Sequence, residues 1–304
     1  MAAFTSFSES ALSRYLCMFE LGELVSCTPI TAGIENSNYF VNLQVDDVIS
    51  EYVLTINETL SFKEAPFFSQ LLSQLARAGV PVPAPKRTLD GMSSTIFCGK
   101  PTWLFPKLAG AHPQTVNDQQ CHQIGQALAN LHAAACSVSL TRSNPYNFEW
   151  ATATFDQLSF RLATADQHLL RTILTEHREL ESLDLPTGIV HGDLFRDNAL
   201  FIDDTLTGII DFYHACQDSL VQDLAITVND WCSDANGQMD SRRKNSLIAG
   251  YESVRPLMLE ERAALSSFQR VGALRFILTR FLSGEGDVHL KDPEEFLRIA
   301  RQLG

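Results

Sequence analysis

Between residues 188 and 201 the chain reads GIVHGDLFRDNALF. Two apolar residues, Ile189 and Val190, lead into His191, Gly192 and Asp193. Arg196, Asp197 and Asn198 follow, and the chain then turns apolar again. Polar groups packed this tightly between apolar runs are poorly explained as solvated surface. Further on, GIIDFY (208–213) carries Asp211 behind Ile209 and Ile210. Asn198 offers a carbonyl oxygen and Asp211 offers two hard carboxylate oxygens. Such donors suit magnesium, which fills the rest of its octahedron with water and substrate phosphates. Asp193, on a loop between two short strands, is free to orient or deprotonate a hydroxyl. A metal that neutralises phosphate oxygens and a carboxylate that aims a hydroxyl are the parts phosphoryl transfer needs.

The elements that must position these groups fall into two sets. The first hundred residues are strand-rich: LVSCTPITAG (24–33), SNYFVNLQV (37–45) and SEYVLTIN (50–57) are short β-branched and aromatic runs separated by turn-like GIEN and DD. EAPFFSQLLSQLARAG (64–79) switches to a helical period. Phe67, Phe68, Leu71, Leu72 and Leu75 share a face, Pro66 lies in the first turn and Gly79 lies past the end. Two further strands are expected at 94–98 and 102–105, then a linker near 106–112. Beyond it, helices are expected at 119–135, across 153–183, and at 219–232, 241–252, 257–282 and 293–303, the last with Asp292 as N-cap. Short strands interrupt at 188–211. The expectation is an α+β chain: a β-rich N-lobe with one helix (1–105) and a mainly helical C-lobe (106–304).

Bulk properties narrow the classes. The chain has 304 residues, 45% of them apolar, which is enough for a packed core. A formal net charge of −13 argues against non-specific binding to nucleic acid or an anionic membrane, both of which want an excess of Lys and Arg. Seven cysteines without a Cys-x-x-Cys pair read as reduced thiols in a cytoplasmic protein. No signal peptide and no membrane-length apolar run is expected.

His-x-Asp-x-x-x-x-Asn, followed by a strand and Asp-Phe, resembles the catalytic and metal loops of the protein-kinase-like fold. The His-Gly-Asp form is similar to its small-molecule branch, the aminoglycoside phosphotransferases and choline kinases. GIENSNYFV, EYVLTI, HGDLFRDNALF, IIDFYHAC and DLAITVNDWC together resemble the bacterial homoserine kinases of that branch, over residues 4–300 or so. The resemblance implies a two-lobed enzyme that moves the ATP γ-phosphate to the side-chain hydroxyl of L-homoserine. It implies Asp193 as catalytic base, Asn198 and Asp211 as magnesium ligands, and His191 and Asp223 as braces of the catalytic loop. His132 matches a recurrent helix of the branch and is expected to hydrogen-bond near that loop.

The sequence departs from the kinase pattern at the phosphates. The glycine-rich turn retains Gly33 alone, so Asn36 amides and Ser37 are the expected phosphate cradle. Thr55 stands where Val-Ala-Ile-Lys would place a lysine, and Gln70 lies where the following helix would carry its glutamate partner. Arg196 is the expected compensating cation; a structural pair with Asp197 or Asp218 is the alternative. Phe105 and Lys107 flank the expected adenine-reading segment, with Val53 as an apolar wall. On the acceptor side Tyr213 is a candidate contact, with Asp230 for an ammonium and Arg275 for a carboxylate. A structural salt bridge from Arg275 to Asp223 or Asp230 is the competing account. Choline, an aminoglycoside or a sugar-like alcohol remain alternative acceptors, and a nucleotide-binding pseudokinase remains an alternative class.

Overall fold

The structure is a computed structural model that describes residues 5–31, 35–283 and 291–304. The chain divides into two compact units. One comprises Met1–Ala109 with Ser137–Leu140, the other Gly110–Cys136 with Thr141–Gly304.

The first unit is built on an antiparallel sheet. Strands β1 (Glu23–Pro29), β2 (Asn36–Val45), β3 (Val48–Asn57), β4 (Thr95–Phe97) and β5 (Lys100–Pro106) lie in the order β1-β2-β3-β5-β4. The tight β2–β3 connection uses Asp46 at φ 51°, a left-handed conformation that aspartate tolerates. Tyr39 pairs with Leu54 and Leu54 with Leu104. Side chains alternate across a strand, so this row shares one face with Val41, Leu43 and Ile56. That face is the core, and α1 (Glu9–Leu16) closes it with Leu12, Tyr15 and Leu16. Helix α1, capped by the Ser8 side chain, adds to the single helix expected for this lobe.

On the opposite face Phe40 pairs with Val53 and Val53 with Phe105; Asn38 pairs with Thr55 and Thr55 with Trp103. Helix α2 (Ala65–Arg77) packs here, with its predicted apolar stripe buried. Its Ser69 Oγ accepts from the Trp103 indole at 2.9 Å. Gln70 donates to Ser139 and accepts from the Leu140 amide, which ties residues 137–140 into this unit.

The second unit contains α3 (Asp118–Ala135), α4 (Phe148–Leu158), α5 (Thr164–Leu180), α6 (Leu220–Cys232), α7 (Ser241–Glu252), α8 (Leu259–Leu282) and α9 (Glu294–Leu303). Two short hairpin-like pairs interrupt them: β6 (Thr187–Val190) with β9 (Cys216–Ser219), and β7 (Ala199–Ile202) with β8 (Thr205–Ile209). Helices α3 and α7 cross closely because both carry glycine at the crossing. A Cβ on Gly125 would collide with the Leu247 carbonyl, and one on Gly250 with the His122 carbonyl. Helix α6 is buried along its whole length. Pro293 is the N-cap of α9 in place of the expected Asp292, whose Oδ1, one residue earlier, accepts from the Glu294 amide. Among the described residues no helix is long and apolar enough to cross a membrane.

Candidate active site

The loop from β6 to β7 is fixed from behind before it presents any chemistry. Asp223, in the first turn of α6, accepts from the His191 amide at 2.7 Å and the Gly192 amide at 2.8 Å. It also accepts from His132 Nε2 at 3.0 Å. Burial alone would raise its pKa, but these donors outweigh burial and hold it below the usual carboxylate range. Two successive amides aimed at one carboxylate require a sharp turn, and Gly192 supplies it at φ 77°. The bracing roles expected of Asp223 and His132 match this geometry.

His191 is fully buried. The Asp193 amide donates to its Nδ1 at 3.2 Å, which leaves the ring proton on Nε2, 3.1 Å from the Ile210 carbonyl. Burial drives its pKa down to about 4, so the ring is neutral. It links the loop to the segment carrying Asp211.

Asp193 presents its carboxylate to Asn198. Asn198 Nδ2 donates to its Oδ2 at 3.1 Å and to its backbone oxygen at 2.8 Å. Burial pushes Asp193 up to about 7; His214 and Arg275 pull it down, and Asp211 adds to the rise. A carboxylate with a pKa near neutrality suits proton transfer at the pH of a cell. Asn198 is itself locked: its amide donates to the Phe195 carbonyl, and its carbonyl accepts from Ile210. With Nδ2 committed to Asp193, its Oδ1 is the atom available to a metal.

Asp211 follows β8 and adopts φ 63°, a left-handed conformation that aspartate tolerates. The donor set fits a hard divalent cation, because Asn198 and Asp211 contribute oxygens only. No cluster of three or more His, Cys, Asp or Glu with metal-site geometry exists among the described residues. A cation bound here would take its remaining ligands from phosphate and water.

The structure corrects the reading of Arg196 and Asp230, which are each other's partners. The Arg196 amide lies 2.7 Å from Asp230 Oδ2, its Nε 3.1 Å from the same atom, and its Nη2 3.3 Å from Oδ1. Asp230 is buried on α6, where an unpaired carboxylate would be expensive. So Asp230 is occupied by Arg196 rather than open to an ammonium, and the hydrogen-bonded partner of Arg196 is neither Asp197 nor Asp218. Asp197 pairs instead with Lys291 at 2.8 Å.

Arg275 is buried, as its place in an apolar helix suggested, but among the described residues it makes no salt bridge to Asp223 or Asp230. Its Nη1 donates to the Gly192 carbonyl, and its guanidinium lies 4.1 Å above the centre of the Tyr146 ring. Tyr213 accepts at its carbonyl from Arg142.

In the first unit one more expectation needs correction. Ser37 is fully buried, and its hydroxyl donates to Glu58 Oε1 at 2.5 Å. It lies on the core face, so it does not offer a hydroxyl to phosphate. Lys107 Nζ pairs with Glu51 at 2.7 Å and lies over the Phe40 ring at 5.1 Å. Thr55 and Phe105 are buried on the α2 face. Asn36 is also buried, and its Oδ1 lacks a hydrogen-bond partner. Gly33 lies outside the described residues.

Sequence reasoning missed Lys291 as a charge acting on Asp193, since it stands far along the chain with no motif around it. It also missed the segment 144–146. Asn144 there donates to Asp218 at 2.7 Å, and the Tyr146 hydroxyl lies 3.2 Å from His214 Nδ1.

The profile of the phosphotransferase enzyme family matches residues 26–257. The chain is 39% identical to a homoserine kinase of Pseudomonas aeruginosa strain UCBPP-PA14, covering 99% of this chain and 96% of that one. It is 37% identical to a homoserine kinase of Neisseria meningitidis serogroup B, covering 100% of both. Among solved structures, an amicoumacin kinase in complex with AMP-PNP and Ca2+ aligns with a TM-score of 0.76 at 16% identity, over 98% of this chain and 92% of that one. A microcompartment-associated aminopropanol kinase aligns with a TM-score of 0.68 at 20% identity, over 97% and 94%. The loop that holds Asp193 and Asn198 therefore sits in a protein-kinase-like, two-lobed fold, and the chain belongs to the phosphotransferase enzyme family.

Proposed function

We propose that the chain is a homoserine kinase that transfers the γ-phosphate of ATP to the side-chain hydroxyl of L-homoserine, a step in threonine biosynthesis. The observation that carries the reading is the Asp193 carboxylate, oriented by Asn198 and poised near pH 7. Relatives named homoserine kinase, similar along the whole chain, support the acceptor. Asp193 aims the acceptor hydroxyl at the γ-phosphorus and takes its proton. The new bond joins the acceptor oxygen to phosphorus as the bond to the bridging oxygen breaks, leaving ADP. Asn198 and Asp211 would hold magnesium, which when bound neutralises phosphate oxygens. The Phe40, Val53 and Phe105 face of the sheet offers apolar contact for adenine. Seven free thiols support a cytoplasmic location.

A coupled assay for ADP formation against L-homoserine, choline and kanamycin tests the acceptor. Homoserine alone is expected to stimulate turnover strongly. Stimulation by choline or kanamycin in its place would sink the specific reading.

A further inference from the structure

Beside the catalytic loop, the second unit holds a cavity of about 130 Å³. Three buried polar atoms on its lining residues have no hydrogen-bond partner among the described residues: Arg275 Nε, Gln222 Oε1 and His177 Nδ1. Arg275 and Gln222 are 8% and 7% exposed, so solvent does not satisfy them freely. Asp218 lines the same space; one of its oxygens accepts from Asn144 and the other from the Ser219 amide. A carboxylate oxygen can accept more than one bond, so both retain capacity. The four side chains come from α8, α6, α5 and β9, so the fold converges a cation, an anion and two neutral polar groups on one small space.

We propose that this cavity takes the zwitterionic end of an α-amino-acid acceptor, with Arg275 on its carboxylate and Asp218 on its ammonium. The proposal rests on the amino-acid reading of the acceptor above and replaces Asp230 in the ammonium role. A guanidinium edge matches a carboxylate, and a buried carboxylate with spare acceptor capacity matches an ammonium. Gln222 adds an acceptor to the ammonium. A choline-like cation carries no anion and would leave Arg275 Nε unmatched. The Gly192 backbone lines the cavity and binds Arg275 Nη1, so the group that holds the acceptor also holds the residue before Asp193. Burial pushes Asp218 up to about 6, and an ammonium beside it favours the charged form.

Calorimetric titration of the full chain uses L-homoserine, L-2-aminobutyrate (the same zwitterion without the hydroxyl) and 1-butanol. The wild type is expected to bind both amino acids and to ignore the alcohol. Asp218→Asn removes the carboxylate assigned to the ammonium, while Asp223 and Glu181 remain in the lining. Ala151→Leu fills the cavity from α4 without touching a charge. Each is expected to weaken both amino acids about tenfold or more, as loss of a buried charge-assisted contact does. In wild-type kinetics aminobutyrate is expected to raise the KM for homoserine at constant kcat. Unchanged affinity in both variants at wild-type Tm overturns the proposal, and so does inhibition that lowers kcat alone, which marks an effector site. Aminobutyrate binding that the variants abolish, without homoserine turnover in the wild type, keeps the amino-acid cavity and removes the homoserine reading.

Discussion

Asp193, half-buried, and Asp223, fully buried, are both carboxylates of the second unit, yet their surroundings push them in opposite directions. Asp223 receives two backbone amides and a histidine, and stays below the usual carboxylate range. Asp193 receives one asparagine nitrogen on its carboxylate and rises to about 7. Burial acts on both; what differs is how many donors oppose it. The saturated carboxylate is a piece of scaffold. The under-satisfied one has an exchangeable proton and room for a substrate to complete its shell.

The largest effect expected from this contrast is at Asp193. Asp193→Asn keeps the shape and removes the base, so kcat should fall by about 10²–10⁴, the usual worth of a general base. Stability should not fall with it. The folded carboxyl binds its proton more tightly than the unfolded one, so ionised Asp193 opposes folding as pH rises from about 4 towards about 7. The amide cannot ionise, and urea unfolding at pH 8 should show the variant at least as stable as the wild type. A marked loss of stability would place Asp193 with the scaffold.

Asp223→Ala should do the reverse. It leaves two buried amides and a histidine without their acceptor, a loss of about 3–5 kcal/mol by analogy with broken buried ion pairs. Equilibrium unfolding gives the value, and an unchanged midpoint would contradict the bracing role. The pH signs also differ. Asp223's contribution is complete above its unfolded pKa and is lost as pH falls below it. Carboxyl-labelled NMR of the metal-free protein should find Asp193 titrating near 7 and Asp223 still ionised at the acid edge of folding. Magnesium should move the Asp193 midpoint downward.

The smallest effect concerns Arg196. Its charge is half exposed, so screening limits its worth, and the Arg196–Asp230 double-mutant cycle should give a coupling of about 0.5–3 kcal/mol in stability. The ATP kcat/KM of Arg196→Ala should change less than that of Asp193→Asn. A larger loss in turnover than in stability would return Arg196 to the phosphate.

The conformation of the loop was legible because it is local. His191, Asp193 and Asn198 lie within eight positions, and hydrogen bonds inside that span fix their positions. The stripe of α2 was legible for the same reason, since five apolar residues at helical spacing need only one helix to explain them. The partner of Arg196 was not, because it lies 34 residues away on a helix whose every side is buried. Nothing in the composition of α6 says which of its polar residues meets the loop. Ser37 is a different failure, since the period-two alternation of β2 groups it with Tyr39 and Val41 on the core face. That signal was present and was outweighed by the expectation of a phosphate cradle. The cavity beside Gly192 depends on four elements converging, which no window of sequence displays.

The glycine crossing of α3 and α7 reaches further than packing. Helix α3 carries His132 and α7 carries Tyr251, whose hydroxyl lies 2.9 Å from His132 Nδ1. His132 in turn holds Asp223, and Asp223 holds the loop amides. The separation of two helix axes is thereby transmitted, through three side chains, to the backbone that aims the base. A single methyl group added at Gly125 or Gly250 would act as a remote adjusting screw, detuning the reaction without touching nucleotide, metal or acceptor.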